Sequence, residues 1–317
     1  MASTTKIMTA LVAIENSDPS DEVTVSPAAV GVEGSSIYLT AGEHQTMEAL
    51  LYAMLLESAN DAAAAIAIHV GGDIEGFADL MNEKARALGL RDTQFKNPHG
   101  LAEDGHYTTA LELAKITAAA MENELFREIV STEKKTITVK DGEGVRVLRN
   151  HNRLLRAYPD CAGVKTGFTK KSGRCLVSAA EREGLRLIAV TLDAPDDWRD
   201  HTAMLDYGFS LYRGCIPLSA YRARVPVLLG ERDSVFLSLS EPRAFVLKRD
   251  DATVEARVEV NRYAIAPIKK GDTLGKILYI QDGRTVAEAA LLAEEDVRAV
   301  SVRLSLWDKI KKIIKCE

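Results

Sequence analysis

The sequence predicts an α+β domain, then a small all-β sandwich domain, then a C-terminal amphipathic helix. Three observations carry this. Apolar residues recur at helical spacing through the first 120 or so positions, short alternating runs bounded by turn residues follow, and the last turns return to helical spacing. At 317 residues with 46% apolar content, the chain exceeds one typical core. The expected divisions are 1–214, 215–303 and 304–317, with Pro217 marking the first boundary.

Ile7, Ala10, Leu11 and Ile14 make 6–15 a helix, and Ser3 lies one turn ahead of Lys6, near the positive helix end. Residues 22–25 read as a strand and Gly34-Ser35-Ser36 as a turn. Met47, Leu50, Leu51, Met54 and Leu55 form one stripe, predicting a helix to Ala59 with Thr46 as its N-cap and Glu48 in its first turn. Residues 61–70 are alanine-rich and apolar nearly all round, the pattern of a helix buried at a domain centre. Residues 74–88 and 110–121 are amphipathic helices, with Asn97-Pro98-His99-Gly100 a loop between them. Residues 136–139 and 145–148 form a hairpin around Asp141-Gly142. The runs 163–167, 175–179 and 185–192 make an antiparallel meander, and 198–211 is a closing helix.

Beyond Pro217 strand-like runs alternate with turns, at 225–228, 235–237, 244–247, 254–260 and 278–280. In the tail, Leu304, Trp307, Ile310 and Ile314 share one helical face and Lys309, Lys311, Lys312 and Lys315 cover the rest. A basic amphipathic helix with an interfacial Trp predicts a membrane-surface anchor rather than a helix packed on the β domain.

A net charge of -6 argues against a general nucleic-acid binder. Cys161, Cys175, Cys215 and Cys316 form no C-x-x-C pair and no histidine cluster joins them, so neither a metal site nor a cofactor is expected, and free thiols are. Gly31-Val32-Glu33-Gly34 lacks the strand-to-helix context of a phosphate loop. There is no signal peptide and no membrane-length apolar run. Since a nucleophile at Ser3 needs folded structure on every side, Met1 is expected to sit inside a longer natural chain, after a signal peptide and one or two strands.

The chemistry is carried by Ser3-Thr4-Thr5-Lys6, Ser58-Ala59-Asn60 and Lys165-Thr166-Gly167. Each alone has an ordinary reading: an N-cap with a solvated lysine, a helix-ending turn, a strand end. Together, in this order, they name a nucleophile, its bases and an anion-binding strand. A serine hydroxyl needs a base within reach, and Lys6 can serve once burial and a second cation, Lys165, strip its proton. Ser58 can relay that proton, and Asn60 can orient Lys6 and hold substrate. Lys165 and Thr166 suit a terminal carboxylate, and Gly167 admits close backbone approach. Ser3 N–H and an N–H near Phe168 would form an oxyanion hole. His99 reads as structural, and the histidines show no Ser-His-Asp spacing.

With these motifs the chain resembles the D-alanyl-D-alanine carboxypeptidases of the low-molecular-mass penicillin-binding proteins. Ala2–Thr9, Gly34–Ser36, Glu57–Ala62, Asn97–Leu101, Gly163–Thr169, Ser172-Gly173 with Cys175-Leu176-Val177, and Leu205–Phe209 carry the likeness. The resemblance implies a β-lactamase/transpeptidase-like domain, a helical cluster on an antiparallel sheet. It implies a secreted enzyme at the outer face of the bacterial cytoplasmic membrane that removes the terminal D-alanine of peptidoglycan stem pentapeptides. The acyl-enzyme would form on Ser3, with Lys6 as base, and β-lactam antibiotics would acylate the same serine. It also suggests an arginine for the terminal carboxylate, for which Arg199 is the candidate. Two other functions compete: a β-lactamase of the same fold, with Glu103 or Glu112 as deacylating base, and a non-catalytic cell-wall-binding homologue.

Overall fold

The computed structural model describes residues 1–139, 144–215, 221–240, 245–249 and 253–300. Contacts divide the chain into two units: Met1–Arg182 with Arg186–Ser210, and Glu183–Leu185 with the chain from Leu211 on. Pro217, the Asp141-Gly142 turn, Ala244 and the tail 304–317 lie outside the described residues.

In the first unit the helices are α1 (Lys6–Asn16), α2 (Met47–Leu56), α3 (Asn60–Gly71), α4 (Ile74–Ala87), α5 (Ala110–Ala120), α6 (Glu124–Ser131), α7 (Leu154–Ala157) and α8 (Asp197–Leu211). Its strands are β1 (Glu22–Thr24), β2 (His44–Thr46), β3 (Lys134–Thr138), β4 (Val145–Arg149), β5 (Cys161–Thr169), β6 (Gly173–Arg182) and β7 (Leu185–Thr191). The last three form an antiparallel sheet in the order β5-β6-β7, the predicted meander, so β5 is an edge. The apolar all-round pattern of α3 has its expected result: residues 60–67 are all buried, with α1, α2 and α4 packed around them. On α2 the side chains of Leu50, Leu51, Met54 and Leu55 are at most 1% exposed, and burying each contributes roughly 1.5–3 kcal/mol.

Helix α2 opens as predicted, with the Thr46 hydroxyl accepting the Ala49 N–H at 3.1 Å. It stops earlier than the predicted Ala59. Ser58 takes a left-handed φ of +61°, which breaks the helix and lets α3 begin at Asn60. The apolar stripe could not reveal this, because Ala59 still continues it. The break turns Ser58 out of helical register into a cleft.

The second unit is all β among its described residues past Leu211. Its strands are β8 (Tyr212–Cys215), β9 (Arg222–Leu228), β10 (Ser234–Leu239), β11 (Phe245–Lys248), β12 (Glu255–Val260), β13 (Ala264–Ile265), β14 (Thr273–Gln281) and β15 (Arg284–Ala293). One six-stranded sheet runs β12-β14-β15-β10-β9-β13, and β8 pairs with β11. The Phe245 and Tyr279 rings, 4.9 Å apart, join β11 to the larger sheet.

Candidate active site

A cleft of about 340 Å³ opens in the first unit. Ser3, Ser35, Ser58, His151, Arg153, Thr166, Gly167, Phe168, Arg174, Cys175, Asp197 and Trp198 line it. The three motifs meet here although 54 residues separate Lys6 from Asn60 and still more separate both from Lys165.

Ser3 sits in a 3₁₀ turn, Ala2–Thr5, that runs straight into α1. The first α1 residue, Lys6, is fully buried. Its Nζ is 3.0 Å from Ser3 Oγ, 2.6 Å from Asn60 Oδ1 and 2.8 Å from the His99 carbonyl oxygen. Burial pushes the Lys6 pKa well below the ordinary lysine range; the charge of Lys165 adds to this and Asp61 opposes it. The two carbonyl oxygens can only accept. They therefore hold the two N–H bonds of a neutral amine and leave its lone pair for the serine hydroxyl.

The surroundings of Lys6 are assembled by the loops. Asn60 donates its backbone N–H to Ser35 O at 2.7 Å, and its side-chain amide donates to Glu33 O. Asp61, 1% exposed, accepts from the Ser36 hydroxyl at 2.6 Å and from the backbone N–H groups of Leu39 and Ala62 at 3.0 and 2.9 Å. It thereby fixes the segment that carries Ser35. The Asn97–Gly100 loop closes the other side, where Pro98 O accepts the Thr9 hydroxyl at 2.6 Å. The His99 ring accepts the Leu101 N–H at 3.3 Å, and its pKa is pushed down to about 3 by burial, then by Lys6 and His106. His99 thus contributes its carbonyl, in keeping with the structural role read for it.

Strand β5 carries Lys165, Thr166, Gly167 and Phe168 along the cleft. A Cβ at Gly167 would lie 3.1 Å from Ser3 N and 3.2 Å from Thr4 N, so the strand packs directly on the nucleophile's turn. Lys165 is 2% exposed and its pKa is pushed down to about 7 by burial, against the pull of Glu57. Only β6 pairs with β5, so among the described residues its cleft-side edge has no strand.

Three placements differ from expectation. Asn60 and Lys165 lie beneath the cleft lining rather than in it, because their polar ends are occupied by Lys6 and by the Thr166 carbonyl. Arg199 stands outside: its side chain is 84% exposed, 3.7 Å from Asp196 in the first turn of α8. The cleft arginines are Arg153 and Arg174, which sequence reasoning missed, as it did His151 and Asp61. Ser58 lines the cleft as predicted, and its hydroxyl makes no hydrogen bond among the described residues. Glu112 is spent on the backbone N–H groups of Arg91 and Asp92, and Glu103 lines a different cavity. Among the described residues, no group of three or more metal-ligating side chains occurs.

Comparison with known proteins agrees with this geometry. A family model described as D-alanyl-D-alanine carboxypeptidase matches residues 1–196, and one described as penicillin-binding protein 5, C-terminal domain, matches 219–299. The chain is 35% identical over 310 residues to D-alanyl-D-alanine carboxypeptidase DacF of Bacillus subtilis, covering 94% of this chain and 79% of the relative. Among solved structures it resembles penicillin-binding protein 5 of Haemophilus influenzae, with a TM-score of 0.74, 28% identity and coverage of 94% and 90% of the two chains. The Streptomyces K15 DD-transpeptidase matches with a TM-score of 0.62 and 35% identity, over 66% of this chain and 87% of that one. A buried amine against a serine hydroxyl, under an open-edged strand, is thus set in a chain that belongs to the D-alanyl-D-alanine carboxypeptidase family of low-molecular-mass penicillin-binding proteins.

Proposed function

We infer that this chain is a serine-type D-Ala-D-Ala carboxypeptidase acting on peptidoglycan stem peptides, with Ser3 as nucleophile and Lys6 as general base. The observation that carries the assignment is Lys6: a buried amine 3.0 Å from Ser3 Oγ whose other neighbours are two carbonyl oxygens. In acylation, Ser3 Oγ attacks the carbonyl carbon of the penultimate D-Ala while its proton passes to Lys6. Lys6 returns that proton, through the Ser58 hydroxyl, to the leaving amine, and D-alanine departs. Water then attacks the acyl-enzyme while Lys6 takes its proton, Lys6 passes that proton to the departing Ser3 Oγ, and the shortened peptide leaves as its free acid.

Gly167 brings β5 close enough for its backbone to meet the oxyanion, together with Ser3 N–H; one such donor is worth about 3 kcal/mol. The Thr166 hydroxyl contacts the terminal carboxylate, and Lys165 acts from beneath through its charge. The substrate lies along the open β5 edge as an extended strand. A β-lactam takes the same attack at Ser3, but its leaving nitrogen stays tethered, so the acyl-enzyme persists. Neither Glu103 nor Glu112 lines the cleft, which favours slow deacylation over the β-lactamase reading.

Peptidoglycan lies outside the cytoplasm, and the enzyme's location is extracytoplasmic. No described helix is long and apolar enough to cross a membrane. We propose that residues 304–317 hold the protein at the outer face of the cytoplasmic membrane, on the strength of the helical spacing of their apolar residues, Trp307 and the lysines.

The test is intact-protein mass spectrometry after benzylpenicillin, paired with D-alanine release from an acyl-D-Ala-D-Ala peptide. A penicilloyl adduct on the Ser3 peptide, abolished in Ser3→Ala, is expected. A folded protein with neither adduct nor release would move the assignment to a non-catalytic wall-binding protein.

A further inference from the structure

Large apolar side chains gather at one place on the surface of the second unit. Leu228 of β9 is the ladder partner of Ile265 in β13, so the two lie side by side. The Leu229 carbonyl, next along the chain, accepts the Val300 N–H at 2.8 Å, and Tyr263 stands two residues before Ile265. Leu228, Leu229, Tyr263, Ile265 and Val300 are 48%, 66%, 55%, 58% and 48% exposed. Single exposed leucines are ordinary, whereas a contiguous group marks a contact surface.

Leu229 is the odd member. Its φ is +59°, in the left-handed region where glycine or asparagine is the usual residue. A leucine there strains the backbone, yet most of its side chain stays out of the core. It serves neither the turn nor the packing of the unit, which points to a role outside it.

The surrounding charge selects the occupant. Arg262, Lys269, Lys270 and Arg298 adjoin the patch, are exposed, and form no ion pair among the described residues. Of the acids beside them, Asp272 and Asp296 accept the Lys269 and Lys270 backbone N–H groups at 2.8 and 2.7 Å, and Glu231 is the third. The rim thus carries a cationic excess, and the sequence after Val300 adds Lys309, Lys311, Lys312 and Lys315. Folding that tail back onto the patch, or pairing two copies through it, would bring like charges together. An anionic lipid surface accepts the apolar side chains, the tyrosine and the cations at once. It is also within reach: Leu304, the first of the tail's apolar row, lies four residues beyond Val300, at most about 14 Å along the chain.

We propose that Leu228, Leu229, Tyr263, Ile265 and Val300 form a second membrane contact, which seats the β domain on the anionic lipid surface where residues 304–317 anchor. The inference rests on the membrane reading of that tail and extends it to the folded domain.

Flotation of the full chain with vesicles of phosphatidylglycerol and phosphatidylcholine tests it. Leu229→Ser with Ile265→Ser should weaken partitioning about tenfold, at an unchanged melting temperature because both side chains are exposed. Leu229→Trp supplies a reporter, whose emission should shift to the blue on the vesicles and be quenched by brominated lipid beyond what Trp198 and Trp307 show in the parent. Undiminished partitioning of the serine variant, or no added quenching, overturns the proposal; the tail reading then stands if Trp307→Ser with Ile310→Ser still lowers flotation. Stronger flotation of the serine variant would show that the tail packs on the patch, and loss of a wild-type dimer at unchanged flotation would show that a second copy does; either overturns the proposal. A wild-type chain that does not float overturns the tail reading and this inference together.

Discussion

Lys165 depresses the basicity of Lys6. Both amines are buried, and after burial itself the Lys165 charge is the main cause lowering the Lys6 pKa, with Asp61 pulling the other way. The cation proposed for the substrate carboxylate therefore also weakens the hold of the proposed base on its proton.

A bell-shaped pH profile of kcat/KM follows. The acid limb rises as Lys6 loses its proton. The alkaline limb falls as Lys165 loses its charge, centred near the value of about 7 to which burial pushes it. Glu57 opposes that shift, so Glu57→Gln should move the alkaline limb to lower pH. Stability moves the other way. The unfolded chain binds the Lys165 proton more tightly than the folded one, so stability should rise as pH climbs from about 7 toward the ordinary lysine range. A profile flat from about pH 5 to 9 would remove both lysines from these roles.

Replacing Lys6 by Met takes away the base and strands the Asn60 and His99 acceptors. Penicillin acylation, followed by mass over time, should slow by about a thousandfold. Denaturant titration should show a loss of about 1–3 kcal/mol for the unpaired carbonyls. Acylation at the wild-type rate would show that another group activates Ser3.

Gly167→Ala probes the fit of β5 on the nucleophile. The new Cβ would meet backbone atoms at 3.1–3.2 Å, which a helix start cannot yield freely. The strand should shift by a few tenths of an ångström, and acylation should fall about tenfold to a hundredfold with little change in melting temperature. An unchanged rate would mean that oxyanion binding tolerates the shift.

Gly100→Ala should be far harsher. Its φ is +89°, and a Cβ would lie 1.9 Å from the Ala2 carbonyl oxygen. A loss of about 2 kcal/mol or more is expected by thermal or denaturant unfolding, since backbone must move on both sides. A near-neutral result would show that the loop and the Ser3 turn part easily.

The tail is tested by liposome flotation of the full chain. With Trp307→Ser and Ile310→Ser together, recovery with anionic vesicles should fall to a small fraction of wild type. Undiminished flotation would place the membrane contact elsewhere or nowhere.

The groups proposed for catalysis could be picked out because their motifs are local: Ser3 with Lys6 one turn apart, Ser58 two residues from Asn60, and Lys165 beside Thr166 and Gly167. The cleft's arginines, Arg153 and Arg174, could not: only tertiary contacts set Arg174 against a buried Asp197 in the cleft and leave Arg199 exposed beside Asp196. Strand β15 was missed for a different reason. Alanine and leucine at Ala287, Ala289, Ala290, Leu291 and Leu292 have weak intrinsic strand preference, and pairing on both sides with β14 and β10 overrides it. Helix α6 left a signal that went unused: Asn123 caps it by accepting the Phe126 N–H at 3.0 Å, ahead of Phe126, Ile129 and Val130.

The Lys6 cradle draws on partners 54 and 93 residues away, and both must arrive before the amine is desolvated. Chemical reactivity here is therefore a late product of chain collapse, since non-local contacts form only after their loops have closed. Covalent capture of a β-lactam by this serine doubles as a conformational assay. Each labelled molecule is one whose first domain has completed its long-range closure, and the time course of labelling during refolding would clock that event.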